Sequence, residues 1–178
     1  MKKLYAAYGS NMDEGQMAYR CPGAVLYGKG VIYDYHLLFK GSQTGSYATI
    51  EHEAPTTEGV PVLLWLITDD DERRLDRYEG YPRFYYKKGV TVEHVQKYAG
   101  WVSIKTGACG AGEWKAPTWH HVPDQEAMVY IMDERRLLGT PAKHYLDPIR
   151  RAYKRYGLDR MVLEEARTYS HQHEGKVR

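Results

Sequence analysis

"VPVLLWLITDDDERRLDRYEGYP", Val60–Pro82, joins two different periodicities end to end. Val60–Ile67 is almost continuously apolar, which predicts a central strand covered on both faces. From Thr68 the chain turns acidic. Thr68 suits a helix N-cap, Asp71 stands three residues on as in a capping box, and acids crowd the first turn against the positive end of the helix dipole. Gly80 supplies a stop and Pro82 forbids continuation. Inside that helix Leu75 and Glu79 lie four positions apart and share a face. With Leu75 as a core contact, Glu79 is aimed along the apolar side, in the last turn. Burial and the dipole there both push a carboxyl's pKa upward, toward a value useful for proton transfer. The plainer alternative is a solvated glutamate at a helix end.

The N-terminus repeats the pattern of a strand that ends abruptly. Residues 2–8 read as a strand, and "YAAYGSNM" (Tyr5–Met12) runs it straight into Gly9-Ser10-Asn11. That turn is either an ordinary strand end or a cradle in which freed backbone N–H groups, the Ser10 hydroxyl and the Asn11 amide face a polar ligand. Asp13–Tyr19 reads as one or two helical turns, stopped by Cys21-Pro22-Gly23. Ala24–Phe39 is Val/Ile/Tyr/Leu-rich and broken by Gly28 and Gly30, so it reads as one long bent strand or two. "GSQTGSY" is a turn, "YATIEHE" a short strand and "FYYKKGVTVEHV" another. From Lys97 to Pro123 the pattern dissolves, with three of the four tryptophans and no steady period, which predicts a functional or irregular excursion. Glu126–Met132 restores a strand, and Pro141–Tyr156 and Asp159–Tyr169 read as helices.

Strands that mostly follow one another, with few helices between, favour an α+β fold with a mixed or antiparallel sheet able to close into a barrel. The chain of 178 residues is most simply one domain over 1–170, carrying an irregular insertion at about 97–123 and a polar tail at 171–178. Seventeen tyrosines against two phenylalanines are the unusual entry in its composition, and they suit a pocket that is greasy and polar at once. A net charge of +2, from 25 basic and 23 acidic side chains, gives no pull toward nucleic acid or anionic membrane. No apolar run reaches the length of a membrane span, and no signal-peptide core is legible. Cys21 and Cys109 make no disulfide framework, so the expected address is the cytoplasm.

Two separated motifs, "AYGSNM" and "LDRYEGYPRFYYKK" (Leu75–Lys88), together resemble the gamma-glutamylcyclotransferase family. "RCPGA" (Arg20–Ala24), "YATI" and "LWLIT" (Leu64–Thr68) fall between them in the family's order. The likeness spans roughly Lys2–Glu93 and resumes at "VYIM" and "PAKHYLDPI". The resemblance implies a small mixed or antiparallel β-barrel with flanking helices and one pocket. It implies that Tyr5, Ala6, Ala7, Tyr8, Gly9, Ser10 and Asn11 bind a gamma-glutamyl group, with Tyr8, Gly9 and Ser10 at the centre. It implies that Glu79 is the proton acceptor, and that a tyrosine seven residues on, Tyr86, contacts substrate; Tyr85 fits as well if the helix ends differently. The implied reaction is intramolecular: the substrate α-amine attacks its own γ-carbonyl, giving 5-oxoproline and a released amine or amino acid, without metal or cofactor. The implied partner is a small gamma-glutamyl molecule, with no nucleic acid and no membrane, and a homodimer is compatible with it.

The sequence departs from the family at 97–123, where a loop carrying Trp101, Trp114 or Trp119 is expected near the pocket. It departs again at "DERR" (Asp133–Arg136), which lacks an aromatic that some relatives place against substrate. Cys21, Cys109, His120 and His121 match no zinc spacing, and Cys109 in "GACGAG" has no placed base. "RRAYKRYG" (Arg150–Gly157) reads as the charged face of a helix. The alternative to an enzyme is a non-catalytic small-ligand-binding module whose 97–123 loop contacts a partner protein.

Overall fold

The computed structural model describes residues 2–42, 44–55, 59–105 and 113–178. In chain order these form β1 (Lys3–Ala7), a 3-10 turn (Ser10–Met12), α1 (Glu14–Arg20), β2 (Val25–Tyr33), β3 (Tyr35–Ser42), β4 (Gly45–His52) and β5 (Gly59–Ile67). They continue with α2 (Asp69–Tyr78), β6 (Tyr85–Lys105), β7 (Glu113–His121), β8 (Gln125–Met132), α3 (Lys143–Tyr156) and α4 (Arg160–Gln172). Strand β5 pairs antiparallel with both β1 and β2, β1 runs parallel to β8, and β8 and β2 each pair antiparallel with β6. The circuit β2-β5-β1-β8-β6-β2 closes on itself as a five-stranded mixed barrel with flanking helices, which removes its free edges. Hairpin β3-β4 forms a separate two-stranded sheet. Helix α4 holds its edge, with the Phe39 N–H donating to the buried Ser170 Oγ at 2.9 Å.

The apolar run of β5 is the wall between two neighbours, and Val60 through Trp65 are all buried, as its unbroken hydrophobicity requires. Thr68 caps α2 as its sequence predicts. Thr68 Oγ1 accepts from the Asp71 N–H at 3.2 Å, and Asp71 Oδ2 accepts from the Thr68 N–H at 3.0 Å. The same buried Asp71 also accepts from the Gly23 N–H at 3.1 Å, which ties the "RCPGA" turn to α2. Gly80 ends the helix region at φ +65°, a left-handed angle that suits glycine.

Two expectations are corrected. Ala24–Phe39 forms two strands, one of its two readings, but Gly28 and Gly30 do not divide them; β2 runs through both, and the break falls at Asp34, φ +60°. A Cβ on Gly28 would lie 3.1 Å from Lys97 Cα and closer still to the Gln96 carbonyl oxygen, and one on Gly30 would lie 2.9 Å from the Glu93 carbonyl oxygen. The glycines are there because β2 and β6 must approach closely to shut the barrel. The described part of 97–123 is not an irregular excursion. It is the outer half of β6 paired with β7, from Gln96↔His121 to Lys105↔Glu113, and Cys109 lies outside the described residues. The polar 171–178 segment makes backbone contacts with the body of the protein. Helix α4 reaches Gln172, then the Gly175 N–H donates to Leu138 O at 2.9 Å and the Leu138 N–H to Lys176 O at 2.8 Å.

Barrel closure predicts an asymmetry between two glycines. Gly28→Ala drives a methyl into the β2–β6 contact and is expected to cost about 1–3 kcal/mol, the usual penalty of overpacking. Gly89→Ala, where an added Cβ meets nothing within 4 Å, is expected to be neutral or slightly stabilising. Urea denaturation of both variants measures this, and equal losses would show that the close approach is not what the glycine serves.

Candidate active site

Strand β1 leaves the barrel after Ala7, its last residue paired with β5, and the chain turns at Gly9 into the 3-10 turn. Ser10 and Asn11 are buried polar residues at 8% and 3% exposure, so their groups must find partners inside the protein. A Cβ on Gly9 would press on the Tyr145 hydroxyl at 3.1 Å and Ala48 Cβ at 3.2 Å, so glycine makes room for α3 and β4 to meet the turn. The Tyr145 oxygen accepts from the Ala48 N–H at 3.1 Å. A hydroxyl that accepts in this way still has its own proton to donate.

Glu79 follows the last residue of α2 and shares a face with the fully buried Leu75. Part of the residue reaches solvent while its carboxyl is walled in, and Oε1 accepts from Asn11 Nδ2 at 2.8 Å. Burial pushes the Glu79 pKa up to about 7, against the Asn11 hydrogen bond and the nearby Arg20 charge, which both pull it down. Asn11 Nδ2 donates also to the Tyr5 hydroxyl at 2.8 Å, and Asn11 Oδ1 accepts from the Arg20 guanidinium. Arg20, the last residue of α1, donates besides to Ser10 Oγ at 3.0 Å and to the Tyr78 hydroxyl, and lies 3.7 Å over the Tyr78 ring.

Tyrosines complete the walls. Tyr8 donates to Tyr130 O, Tyr85 donates to Ala48 O at 2.8 Å, and Tyr5 meets Tyr130 edge-on at 5.8 Å. Burial holds the hydroxyls of Tyr5, Tyr8, Tyr85, Tyr130 and Tyr145 well above the ordinary phenol range, so all stay protonated. An inner recess of about 30 Å³ lies against Tyr5, Tyr8, Gly9, Ser10, Asn11 and Glu79. It shares Ser10, Glu79, Tyr85 and Tyr145 with an outer groove of about 320 Å³.

The structure therefore gathers Tyr5, Tyr8, Gly9, Ser10, Asn11 and Glu79 around one recess. Ala6 and Ala7 are fully buried in the barrel and do not line it. Tyr86 does not line it either: it is 38% exposed, while Tyr85, the neighbour on the other face of β6, does. Trp119 is away from the recess, edge-on to Tyr98 and Tyr156 beneath Lys29. Arg20, Ala48, Tyr130 and Tyr145 were not singled out from sequence, although "RCPGA", "YATI", "VYIM" and "PAKHYLDPI" contain them. Cys21 is buried, with its thiol pushed up to about 12 chiefly by burial. Among the described residues no group of three or more His, Cys, Asp or Glu side chains could hold a metal ion, and no helix is long and apolar enough to cross a membrane.

A family model described as gamma-glutamyl cyclotransferase, AIG2-like, matches residues 5–147, a span that contains every residue of the recess. Among solved structures the chain is similar to one described as a gamma-glutamyl cyclotransferase, with TM-score 0.67 and 22% identity over 93% of this chain and 86% of that one. An uncharacterized protein from Homo sapiens gives TM-score 0.69 and 22% identity over the same shares. A gamma-glutamyl cyclotransferase from yeast described as specific to glutathione gives TM-score 0.53 and 10% identity over 98% of this chain and 99% of that one. At these identities the likeness is one of fold. The comparison with curated proteins finds no match.

Glu79 makes stability depend on pH. Its carboxyl binds a proton more tightly when folded, near 7, than at its ordinary value of 4.5. Between those values the folded state holds more protons, so stability falls as pH rises through the window and the full cost is present above it. The shift corresponds to about 3 kcal/mol, taken as an upper bound because part of the residue reaches solvent. Glu79→Gln is expected to melt above the parent at about pH 8 and to converge with it at about pH 5. A constant difference across that range in thermal melts would show that Glu79 is not so perturbed.

Proposed function

Since the chain belongs to the gamma-glutamyl cyclotransferase, AIG2-like family, we propose that it closes a γ-glutamyl derivative into 5-oxoproline and releases an amine, with Glu79 as general acid/base. The observation that carries this reading is the Glu79 carboxyl, enclosed, bonded to Asn11 at 2.8 Å and poised near neutrality. A group with a pKa near the working pH both accepts and returns a proton readily.

The substrate α-ammonium cannot attack until it loses a proton, and the Glu79 carboxylate accepts it. Asn11 supports this first step, because its amide donates to the ionised carboxylate. The freed amine attacks the γ-carbonyl and forms the new C–N bond of a five-membered ring. As the old C–N bond breaks, Glu79 returns its proton to the leaving nitrogen. Two protons leave the attacking nitrogen in all: one reaches the leaving amine, and the other charges the amine once released. Charge developing on the carbonyl oxygen is met by protonated hydroxyls, Tyr145 first, since its oxygen already accepts from the Ala48 N–H and its proton is left to donate. The recess together with the outer groove beside it holds the substrate folded, which makes a ring closure of neighbouring groups favourable.

A non-catalytic binder has no use for a carboxyl held near pH 7 in its wall. Glu79→Gln keeps the shape and removes the proton acceptor. It is expected to lower 5-oxoproline release at least about a hundredfold, the usual scale of general acid–base catalysis, while ligand binding is retained and the fold is no less stable than the parent's. Turnover within a few-fold of the parent by a folded variant would remove Glu79 from this role and leave the binding module as the better reading.

A further inference from the structure

Resting on the cyclisation reading, we infer that the outer groove selects substrates whose leaving group bears no charge before its release and carries an aromatic or bulky apolar body. The groove is continuous with the recess through Ser10, Glu79, Tyr85 and Tyr145, so a substrate with both nitrogens in reach of Glu79 extends its leaving group along it. Its walls are an edge-to-face series of rings. Tyr145 meets Tyr47 at 5.1 Å and 85°, Tyr47 meets Phe84 at 6.4 Å and 79°, and Phe84 meets Tyr85 at 5.1 Å and 65°. Such a series offers faces and edges to one more ring.

Charge argues in the same direction. Among the described lining residues none is Lys or Arg. The Arg20 guanidinium behind the wall is occupied by Ser10, Asn11 and the Tyr78 hydroxyl and lies flat on the Tyr78 ring. Arg136 stacks 4.0 Å over Phe84 without lining the groove, and its Nε is buried. A carboxylate on the leaving group would face ring quadrupoles and the Glu79 carboxyl, with no Lys or Arg among the described lining residues to meet it. A cation would pair with Glu79, hold it ionised and oppose the proton it must accept. An apolar leaving group that bears no charge before its release meets neither obstacle.

The test uses three compounds that share the γ-glutamyl head: γ-glutamyl phenethylamide, γ-glutamylglycine and the γ-glutamyl amide of putrescine. Release of 5-oxoproline by the whole protein gives kcat/KM for each, and calorimetry on Glu79→Gln ranks their binding without turnover. The phenethylamide is expected to lead both rankings by about tenfold or more, the scale of one well-filled apolar contact. Phe84→Leu and Tyr47→Leu keep apolar volume and remove a ring, and each is expected to shrink the phenethylamide-to-glycine ratio at least about fivefold, through KM. A lead for the glycine or putrescine compound, or ratios unmoved in both folded variants, overturns the inference. If no compound yields 5-oxoproline but binding still ranks the phenethylamide first, the cyclisation reading falls and the groove assignment stands; if binding shows no such rank, the groove assignment falls too.

Discussion

The Asn11 amide can face only one way, and the site is built on that restriction. A guanidinium can only donate and an ionised carboxylate can only accept. With Arg20 on one side of Asn11 and Glu79 on the other, the oxygen must turn to Arg20 and the NH₂ to Glu79. The second NH₂ hydrogen then goes to Tyr5. One side chain thus joins the last residue of α1, the residue that follows α2 and the middle of β1. Those elements come from separate parts of the chain, and the amide sets their mutual distance at the point where chemistry is proposed. The same geometry fixes the sense of the electrostatics: Asn11 and Arg20 oppose the effect of burial on Glu79 and hold it near neutrality rather than fully protonated.

The preference for tyrosine over phenylalanine follows from where the recess sits. A barrel interior must be filled by large apolar groups to native density. A recess at its end must also show polar atoms to a ligand. Tyrosine does both with one side chain, provided each hydroxyl is satisfied or has a proton to offer. Tyr8 and Tyr85 meet this by donating to backbone carbonyls, and Tyr145 by accepting from the Ala48 N–H. The rings are therefore part of the core packing as well as the walls, and the recess is pre-formed at the barrel's expense of few extra residues.

What was legible in the sequence was whatever depends on local order. The N-cap and capping box at Thr68, the Gly80 stop, the unbroken burial of β5 and the inward aim of Glu79 from Leu75 all follow from spacing within one element. The Gly9-Ser10-Asn11 turn where β1 ends followed from local order, whereas the presence of Tyr5 and Tyr8 beside it at one recess was implied by the family resemblance alone. What was not legible depends on pairing between distant segments. Gly28 and Gly30 read as breaks because the strand that crowds them, β6, lies over sixty residues downstream in the chain. The hairpin of the outer half of β6 with β7 was not legible because its pairing, Gln96↔His121 to Lys105↔Glu113, joins segments that no local pattern announces as partners. Arg20 and Tyr145 reach the recess only through the docking of α1 and α3, which no local pattern announces. Tyr86 differs from Tyr85 by one step of strand parity, and parity is set by register with β8, Tyr85↔Met132.

The aim of Glu79 also needs helix α2 to keep one rotation about its own axis, and a single apolar contact at Leu75 leaves that rotation loose. A rim of charges fixes it. Glu72 accepts from Lys3 of β1 and from Lys87 of β6 at 2.6 Å, while Asp76 accepts from Lys87 at 2.7 Å and from the Tyr130 hydroxyl of β8 at 2.7 Å. Lys3 and Lys87 hold the Glu72 carboxyl below its ordinary range, so the network is ionised at neutral pH. Each pair is partly exposed, and pairs of that kind contribute about 0–1 kcal/mol to stability. Their value lies in position. Three strands that neighbour one another in the barrel, β1, β8 and β6, each hold the helix on the face that carries Leu75 and Glu79. Residues 72, 76 and 79 lie on successive turns of one side, so a network that grips the first two turns the third toward Asn11. The barrel's strand order and the proposed base are in this way linked through α2, with the apolar contact setting depth and the ion pairs setting angle.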